Sequence, residues 1–349
     1  MNICIFLVLL SLAVFSSGFV STQTPQSKRV YVEPLVNRYN AELFGKIYVG
    51  SPPQELKVLF DTGSSNFWLP GEGCLGLNNR SSYNLQKSLT SEATGGEDLF
   101  LEYGRGQVLG KTVRDTVQIA GMTIKNVTFG QISQMSNISK QSSFDGLIGL
   151  GFPELATGKA PTFFQHLLDQ KLIDEASYSL YMSDNNSVLI FGGVDKKYAK
   201  SEFKYFPVID DGFWSIETDG LVIDDTIIEL PNETKFIASF DSGTSRIRVS
   251  TQIGELLDSL IGLEENVNYG ADIIESLPNI SLKLGSFLLN IPPSSYMICD
   301  KTHCIYGIQA SSGLPDPYYM FFGAIFLQTF YTHFDFQHKR IGFAKPRTN

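Results

Sequence analysis

Histidine and cysteine are scarce here, four of each in 349 residues, and that scarcity removes several kinds of chemistry. The histidines (His166, His303, His333, His338) form no His-Glu-x-x-His run, so the helix-borne zinc site of a metalloprotease has no sequence basis. No Gly-x-Ser-x-Gly elbow is present either, which argues against a serine hydrolase. Each histidine reads as a surface or structural residue, and the sequence calls for no metal. Charge is thin as well: 18% of residues are charged, and no long charge-patterned helix occurs. With 31 Gly and 15 Pro, this favours an all-β protein of many short strands and turns. The 27 basic and 36 acidic residues give a net charge of −9, so nucleic acid and anionic membrane are poor partners.

Long apolar runs are missing beyond the first residues. Ile3 to Phe15 is the one such run, and its 13 residues fall short of a membrane span, which needs roughly 20. Ser16-Ser17-Gly18 follows it, so residues 1–18 read as a cleavable export signal, although no Lys or Arg precedes the run. A short polar segment, 19–29, ends in Lys28-Arg29, a candidate processing site. Six sequons (Asn79, Asn126, Asn137, Asn185, Asn232, Asn279) fit a secretory route.

Two stretches stand out against this background. Val58-Leu59-Phe60-Asp61-Thr62-Gly63-Ser64-Ser65 runs an apolar strand into a carboxylate, a hydroxyl and a glycine, and Ala238-Ser239-Phe240-Asp241-Ser242-Gly243-Thr244-Ser245 repeats the design. At average composition one Asp-[Ser/Thr]-Gly arises by chance about once in five or six chains of this length. A second echo strengthens the pair. Leu147-Ile148-Gly149 ends 86 residues after Gly63, and Phe321-Phe322-Gly323 ends 80 after Gly243. A period this long, present twice, indicates duplicated domains rather than a solenoid. The length suffices for two cores, so residues 30–203 and 204–349 read as two lobes, each delivering one aspartate.

Leu43 to Val49 and Glu55 to Phe60 read as strands joined through Gly50-Ser51-Pro52-Pro53. Leu99 to Tyr103 and Gln107 to Lys111 flank Gly104-Arg105-Gly106, a hairpin able to open and close over a cleft. Helices are few. Thr162 caps Phe163 to Leu168, and Ser250 or Thr251 caps a helix whose apolar face is Ile253, Leu256, Leu257, Leu260 and Ile261, with Gly262 as its stop. Ala324 to Thr329 suggests a third, short one. Cys299 and Cys304 flank four residues, a spacing that suits a strand-loop-strand staple, and so small a ring contributes about 2 kcal/mol. Cys74 is then unpaired, either buried or reactive.

These landmarks resemble the pepsin-like aspartic proteases, the family of pepsin, cathepsin D and renin, from about Val30 to Lys345. The resemblance covers both aspartate motifs, Phe67-Trp68-Leu69-Pro70, the Tyr103-Gly104 hairpin, and Phe144-Asp145-Gly146 through Leu150. It continues through Phe191-Gly192-Gly193-Val194-Asp195, Gly212-Phe213-Trp214, and Phe322-Gly323 through Ala344, all in the family's order. It implies a two-lobed fold with a cleft between the lobes and an endopeptidase acting at acidic pH. Asp61 and Asp241 would then share one proton, because like charges that close cannot both ionise cheaply. A water between them would attack the peptide carbonyl directly, with no cofactor. Polypeptides would be substrates, statine-type compounds inhibitors, and the enzyme a monomer, secreted or sent to an acidic lysosome- or vacuole-like compartment.

The match also implies supporting roles. Gly63 and Gly243 would let backbone N–H groups reach the carboxylates, and Ser64 and Thr244 would bond them from outside. Thr62 and Ser242 would grip across the lobes beneath them. Tyr103 would be the flap tyrosine held by Trp68, with Gly104 and Arg105 at the tip. Leu59, Phe144 and Leu147 would line an apolar pocket that favours bulky hydrophobic residues beside the cut.

Departures from the family carry their own expectations. Only about 8 to 11 residues separate the signal from the matching start. That predicts an enzyme active without self-cleavage, checked by an activity time course at acid pH that shows no lag. Arg105 replaces the usual small residue at the flap tip, either as a solvated side chain or as a cation that favours acidic side chains near the cut. Arg246 and Arg248 replace apolar or small ones and would either crowd the cleft or point to solvent. Ala324 replaces an aspartate of acid-acting members, as in renin-like ones, and would move the optimum toward weaker acid. Two of the family's usual disulfides are missing. A binding protein on the same fold with a silent dyad is the rival reading; such relatives lose an aspartate, its glycine or the flap tyrosine, and none is lost here.

Overall fold

The computed structural model describes residues 29–347, apart from 39–41, 105, 137–141, 159, 184–185, 210–211, 229–233 and 315–317. Residues 1–18, expected to form an export signal, together with residues 19–28, Arg105 and the sequons at Asn137, Asn185 and Asn232, therefore lie outside the described residues. The fold is all-β and two-lobed, with three short α-helices among the described residues.

The strand Gln54–Asp61 shows how the sequence builds toward the site. Burial alternates at its start, and from Val58 onward every side chain is buried, the pattern of a strand covered on both faces. It pairs antiparallel with Glu42–Val49 and parallel with Gly146–Gly149, setting Asp61 opposite Gly149. The second half repeats this arrangement. Phe236–Phe240 runs parallel to Tyr319–Phe322 with Phe240 opposite Phe322, so Asp241 comes next beside Gly323. Each apolar-apolar-glycine echo is thus the parallel partner of an aspartate strand. Its glycine is required sterically: a Cβ on Gly149 would lie 2.5 Å from the Ser65 Cα, and one on Gly323 would collide with the Thr244 carbonyl.

A six-stranded antiparallel platform joins the halves. Its order is Lys204–Pro207, Arg340–Ala344, Tyr331–Asp335, Ser177–Tyr181, Ser187–Phe191, Tyr31–Arg38. Tyr331–Asp335, from the chain's end, pairs directly with Ser177–Tyr181 from its middle. Above the platform Phe152, Tyr178, Trp214, Phe334 and Phe336 pack ring to ring, with Phe152 and Trp214 centroids 4.5 Å apart.

The hairpin of Glu92–Tyr103 and Gly106–Ile119 projects over the cleft with Tyr103 opposite Gly106 at its tip. The helix Phe163–Asp169 is capped by the Thr162 hydroxyl, and Thr251–Ile261 by the Ser250 hydroxyl. Gly262 ends the second helix at φ +76°, a left-handed conformation that suits glycine. One part of that helix departs from expectation. Leu256 and Leu260 are 38% and 43% exposed, and only Ile253, Gly254, Leu257 and Ile261 are buried. The helix meets the strand Ile308–Ala310 along a narrow stripe, where Gly254 comes close to the Ala310 side chain; the two leucines flank that stripe.

Cys299 and Cys304 face each other across the hairpin of Met297–Cys299 and His303–Tyr306 and are joined by a disulfide. Cys74 is buried, and burial pushes its thiol up to about 11, so the reactive alternative finds no support. No helix among the described residues is long and apolar enough to cross a membrane.

Candidate active site

Both aspartates sit where a strand ends and a tight turn begins. The Asp61 carbonyl accepts the Leu150 N–H at 2.7 Å, and the Asp241 N–H donates to the Phe322 carbonyl at 3.0 Å, so each backbone is tied to its echo strand. The side chains are then held in matching ways. Gly63 N–H donates to Asp61 Oδ1 at 2.9 Å and the Ser64 hydroxyl to Oδ2 at 2.5 Å. Gly243 N–H donates to Asp241 Oδ1 at 2.8 Å and the Thr244 hydroxyl to Oδ2 at 2.6 Å. One N–H and one hydroxyl on each carboxylate fix its plane.

Beneath the pair, Thr62 and Ser242 interlock. Thr62 N–H donates to the Ser242 hydroxyl at 3.0 Å, and Ser242 N–H to the Thr62 hydroxyl at 2.9 Å. Each hydroxyl in turn donates to a carbonyl of the opposite half, Thr62 to Phe240 at 2.8 Å and Ser242 to Phe60 at 2.6 Å. Four bonds in a buried environment set the two aspartate turns against each other. The approach is close enough to demand glycine on both sides. A Cβ on Gly63 would stand 2.5 Å from the Asp241 carboxyl carbon, and one on Gly243 would overlap Asp61 Oδ1.

Proximity has an electrostatic consequence. Asp61 is pushed well above the usual carboxylate range, first by burial and then by the charge of Asp241. The proton so retained belongs to the pair and not to one residue.

A cleft of about 670 Å³ opens over the two carboxylates. Leu59, Phe144 and Leu147 line one wall together with Trp68 and Tyr103, and Phe213 and Arg248 line the other. The Trp68 indole N–H donates to the Tyr103 hydroxyl at 3.0 Å. Tyr103 is itself pushed up, by burial and then by the Asp61 charge, and so stays a neutral phenol. Gly104, in the hairpin tip, lines the cleft as well. Among the described residues no group of three or more His, Cys, Asp or Glu could hold a metal, and none of the histidines lines the cleft.

Several contributors were not singled out from the sequence. The Leu150 carbonyl accepts both the Tyr178 hydroxyl at 2.9 Å and the Trp214 indole N–H at 3.1 Å, which props the residue bonded to Asp61. Behind Asp241, the hydroxyls of Ser215, Ser239 and Tyr319 form a buried triangle with edges of 2.6 to 2.8 Å. A serine within the apolar run Phe236 to Phe240 was the available signal, because a buried hydroxyl needs a partner.

Comparison with known proteins gives the family. The family model described as Eukaryotic aspartyl protease matches residues 42–346. The chain belongs to that family. Among relatives of this aspartyl protease, pepsin A of Bos taurus is 33% identical over 327 residues, covering 89% of this chain and 86% of its own length. Pepsin A of Sus scrofa is 32% identical over 327 residues, with 89% and 83% covered. Pepsin A of Suncus murinus is 32% identical over 324 residues with the same coverage.

Proposed function

We propose that this aspartyl protease family member is an endopeptidase that hydrolyses peptide bonds at acidic pH through Asp61 and Asp241. The observation that carries the reading is the pair of carboxylates facing each other across the cleft, each held by one N–H and one hydroxyl. With one proton shared, the ionised member takes a proton from a water between them, and the water oxygen attacks the carbonyl carbon. The protonated member gives its proton to the carbonyl oxygen, forming a tetrahedral diol. The newly protonated carboxyl then gives its proton to the amide nitrogen while the other carboxylate takes one from a diol hydroxyl, so the C–N bond breaks to release acid and amine and the dyad returns to its starting charge. Each carboxylate serves as base and acid in turn.

The wall of Leu59, Phe144 and Leu147 supports a preference for bulky apolar residues beside the cut, worth about 1.5–3 kcal/mol per fully buried side chain. Tyr103, tethered by Trp68, would close over the substrate and exclude water. A catalytically silent reading finds no support, because both aspartates, both glycines and Tyr103 are present. Passage through the secretory pathway, to the exterior or to an acidic lysosome- or vacuole-like compartment, is supported by the exposure of Asn79, Asn126 and Asn279; a mobility shift on enzymatic deglycosylation tests it. The central experiment measures cleavage of an apolar peptide in acid by wild type and Asp61→Asn. Loss of about a thousand-fold or more in kcat is expected, together with inhibition by a statine peptide. Equal rates would refute the mechanism.

A further inference from the structure

The internal duplication sets equivalent strands on the two walls of the cleft, and one equivalent pair differs sharply in chemistry. Phe67 and Trp68, following Asp61, lie opposite Ile148 and Leu147. Ile247 and Arg248, at the same distance from Asp241, lie opposite Phe322 and Phe321. Trp68 and Arg248 are therefore structural mates, and both line the cleft. In the first half the mate is an indole that fixes Tyr103. In the second half it is a guanidinium.

Strand alternation forces this orientation: Ile247 and Val249 are buried in the core, so Arg248 must turn to the opposite face. A surface arginine would be loosely held there, but this one is half-buried and anchored. Its Nη2 donates to the Ser311 hydroxyl at 2.7 Å, while its Nη1 lies 3.5 Å from where a side chain on Gly104 would begin. The cation thus spans from the second-half wall to the flap, across the path of a threaded peptide. The other carboxylates at the cleft, Glu42 and Glu102, are engaged with the Ser143 N–H and the Gln107 amide.

We infer that Arg248 is a specificity-determining residue that selects peptides with a carboxylate next to the residue filling the apolar pocket. The inference rests on the endopeptidase reading above. In an extended substrate, successive side chains point to opposite faces. When one enters the wall of Leu59, Phe144 and Leu147, its neighbours point toward Arg248. A guanidinium presents a fixed fork of N–H donors that matches a carboxylate.

The test uses the full secreted protein and peptides that differ only in Glu, Gln or Lys on either side of an invariant Phe. Assays at about pH 5.5 keep substrate Glu ionised, since its ordinary pKa is about 4.3. At one of the two positions, wild type should favour Glu over Gln by about tenfold in kcat/KM, the scale of a partly solvated charged hydrogen bond. Arg248→Gln should bring that ratio to near one, Arg248→Lys should restore part of it, and Arg248→Glu should favour the Lys peptide. A wild-type ratio near one at both positions, or a ratio unchanged in Arg248→Gln, overturns the assignment. The same sequences carrying a statine at the cut site report the ratio as binding affinity. Absence of all cleavage would therefore defeat the protease reading while Arg248 was still tested.

Discussion

The platform that joins the two halves carries a built-in sensitivity to acid at His333. This residue lies in Tyr331–Asp335, opposite Ser179 on one side and Gly342 on the other, and is 6% exposed. Its Nδ1 shares a hydrogen bond with the Tyr205 hydroxyl at 2.9 Å, and the rings of Phe203 and Tyr205 pack against it. Burial pulls its pKa from 6.5 down to about 4, although Asp335 and Glu175 pull the other way. The folded state therefore holds the neutral ring where the unfolded chain would already be protonated. Between about pH 6.5 and 4 the unfolded state binds more protons, so stability falls as pH falls through this window. The difference of roughly 2.5 pH units corresponds to about 3 kcal/mol. In His333→Phe the ring volume is kept and the titration is gone. At pH 7 the variant should be less stable by about 1 kcal/mol, because Tyr205 loses its partner. From pH 7 to pH 4 it should lose about 3 kcal/mol less than wild type, seen as a gap of roughly 5 °C or more in the shift of Tm. Glu33, pushed up by burial, drifts in the opposite direction, but it is common to both proteins and cancels. Equal acid-induced shifts in the two proteins would refute the reasoning.

Two further substitutions probe the site. Ser242→Ala leaves the Thr62 N–H and the Phe60 carbonyl without their buried partner. That should cost about 2–4 kcal/mol and lower kcat/KM at least about tenfold as the carboxylates move apart; a Tm loss with full activity would show that the grip only stabilises. Trp68→Phe removes the N–H bonded to Tyr103, with an expected loss of up to about tenfold in kcat/KM. Tyr103→Phe should cost the same, and the double variant no more than either single one; additive losses would mean the two act independently.

The aspartate turns were legible because their requirements are local. Each carboxylate accepts the N–H two residues on and a hydroxyl three residues on, donors its own turn supplies, whereas the glycine itself answers to the opposite aspartate, which a Cβ would strike. The echoes at Gly149 and Gly323 were visible as pattern, yet their meaning as parallel partners appears only in three dimensions. The platform left no local trace, because the pairing of Ser177 with Asp335 joins segments more than 150 residues apart. Leu256 and Leu260 show a limit of periodicity: it finds the apolar side of a helix, while the width of the buried stripe is set by what packs against it. Cys74 was undetermined for a related reason, since spacing shows that a cysteine has no mate but carries nothing about its surroundings. For Arg248 the sequence left open whether it crowds the cleft or faces solvent; the burial of Ile247 and Val249 and the strands around them turn it into the cleft.

The asymmetry between the walls follows from the substrate. The pair of aspartates gains from duplication, because two carboxylates with the same donors can exchange the roles of acid and base around one proton. A peptide has no such symmetry: its amino and carboxyl ends differ, and a cleft with identical walls would accept it in both directions. The duplicated frame therefore has to keep its centre alike and let its walls diverge. Ser64 and Thr244, bonding their aspartates at 2.5 and 2.6 Å, are the part of that frame the two halves share. Trp68 and Arg248, mates in register but an indole and a cation in chemistry, are the divergent part. Direction of binding should then be set at such mates and not at the dyad. Changing Arg248 should consequently alter which bond in a peptide is cut while leaving in place the pH dependence of cutting a peptide that has no ionisable side chains beside the cut.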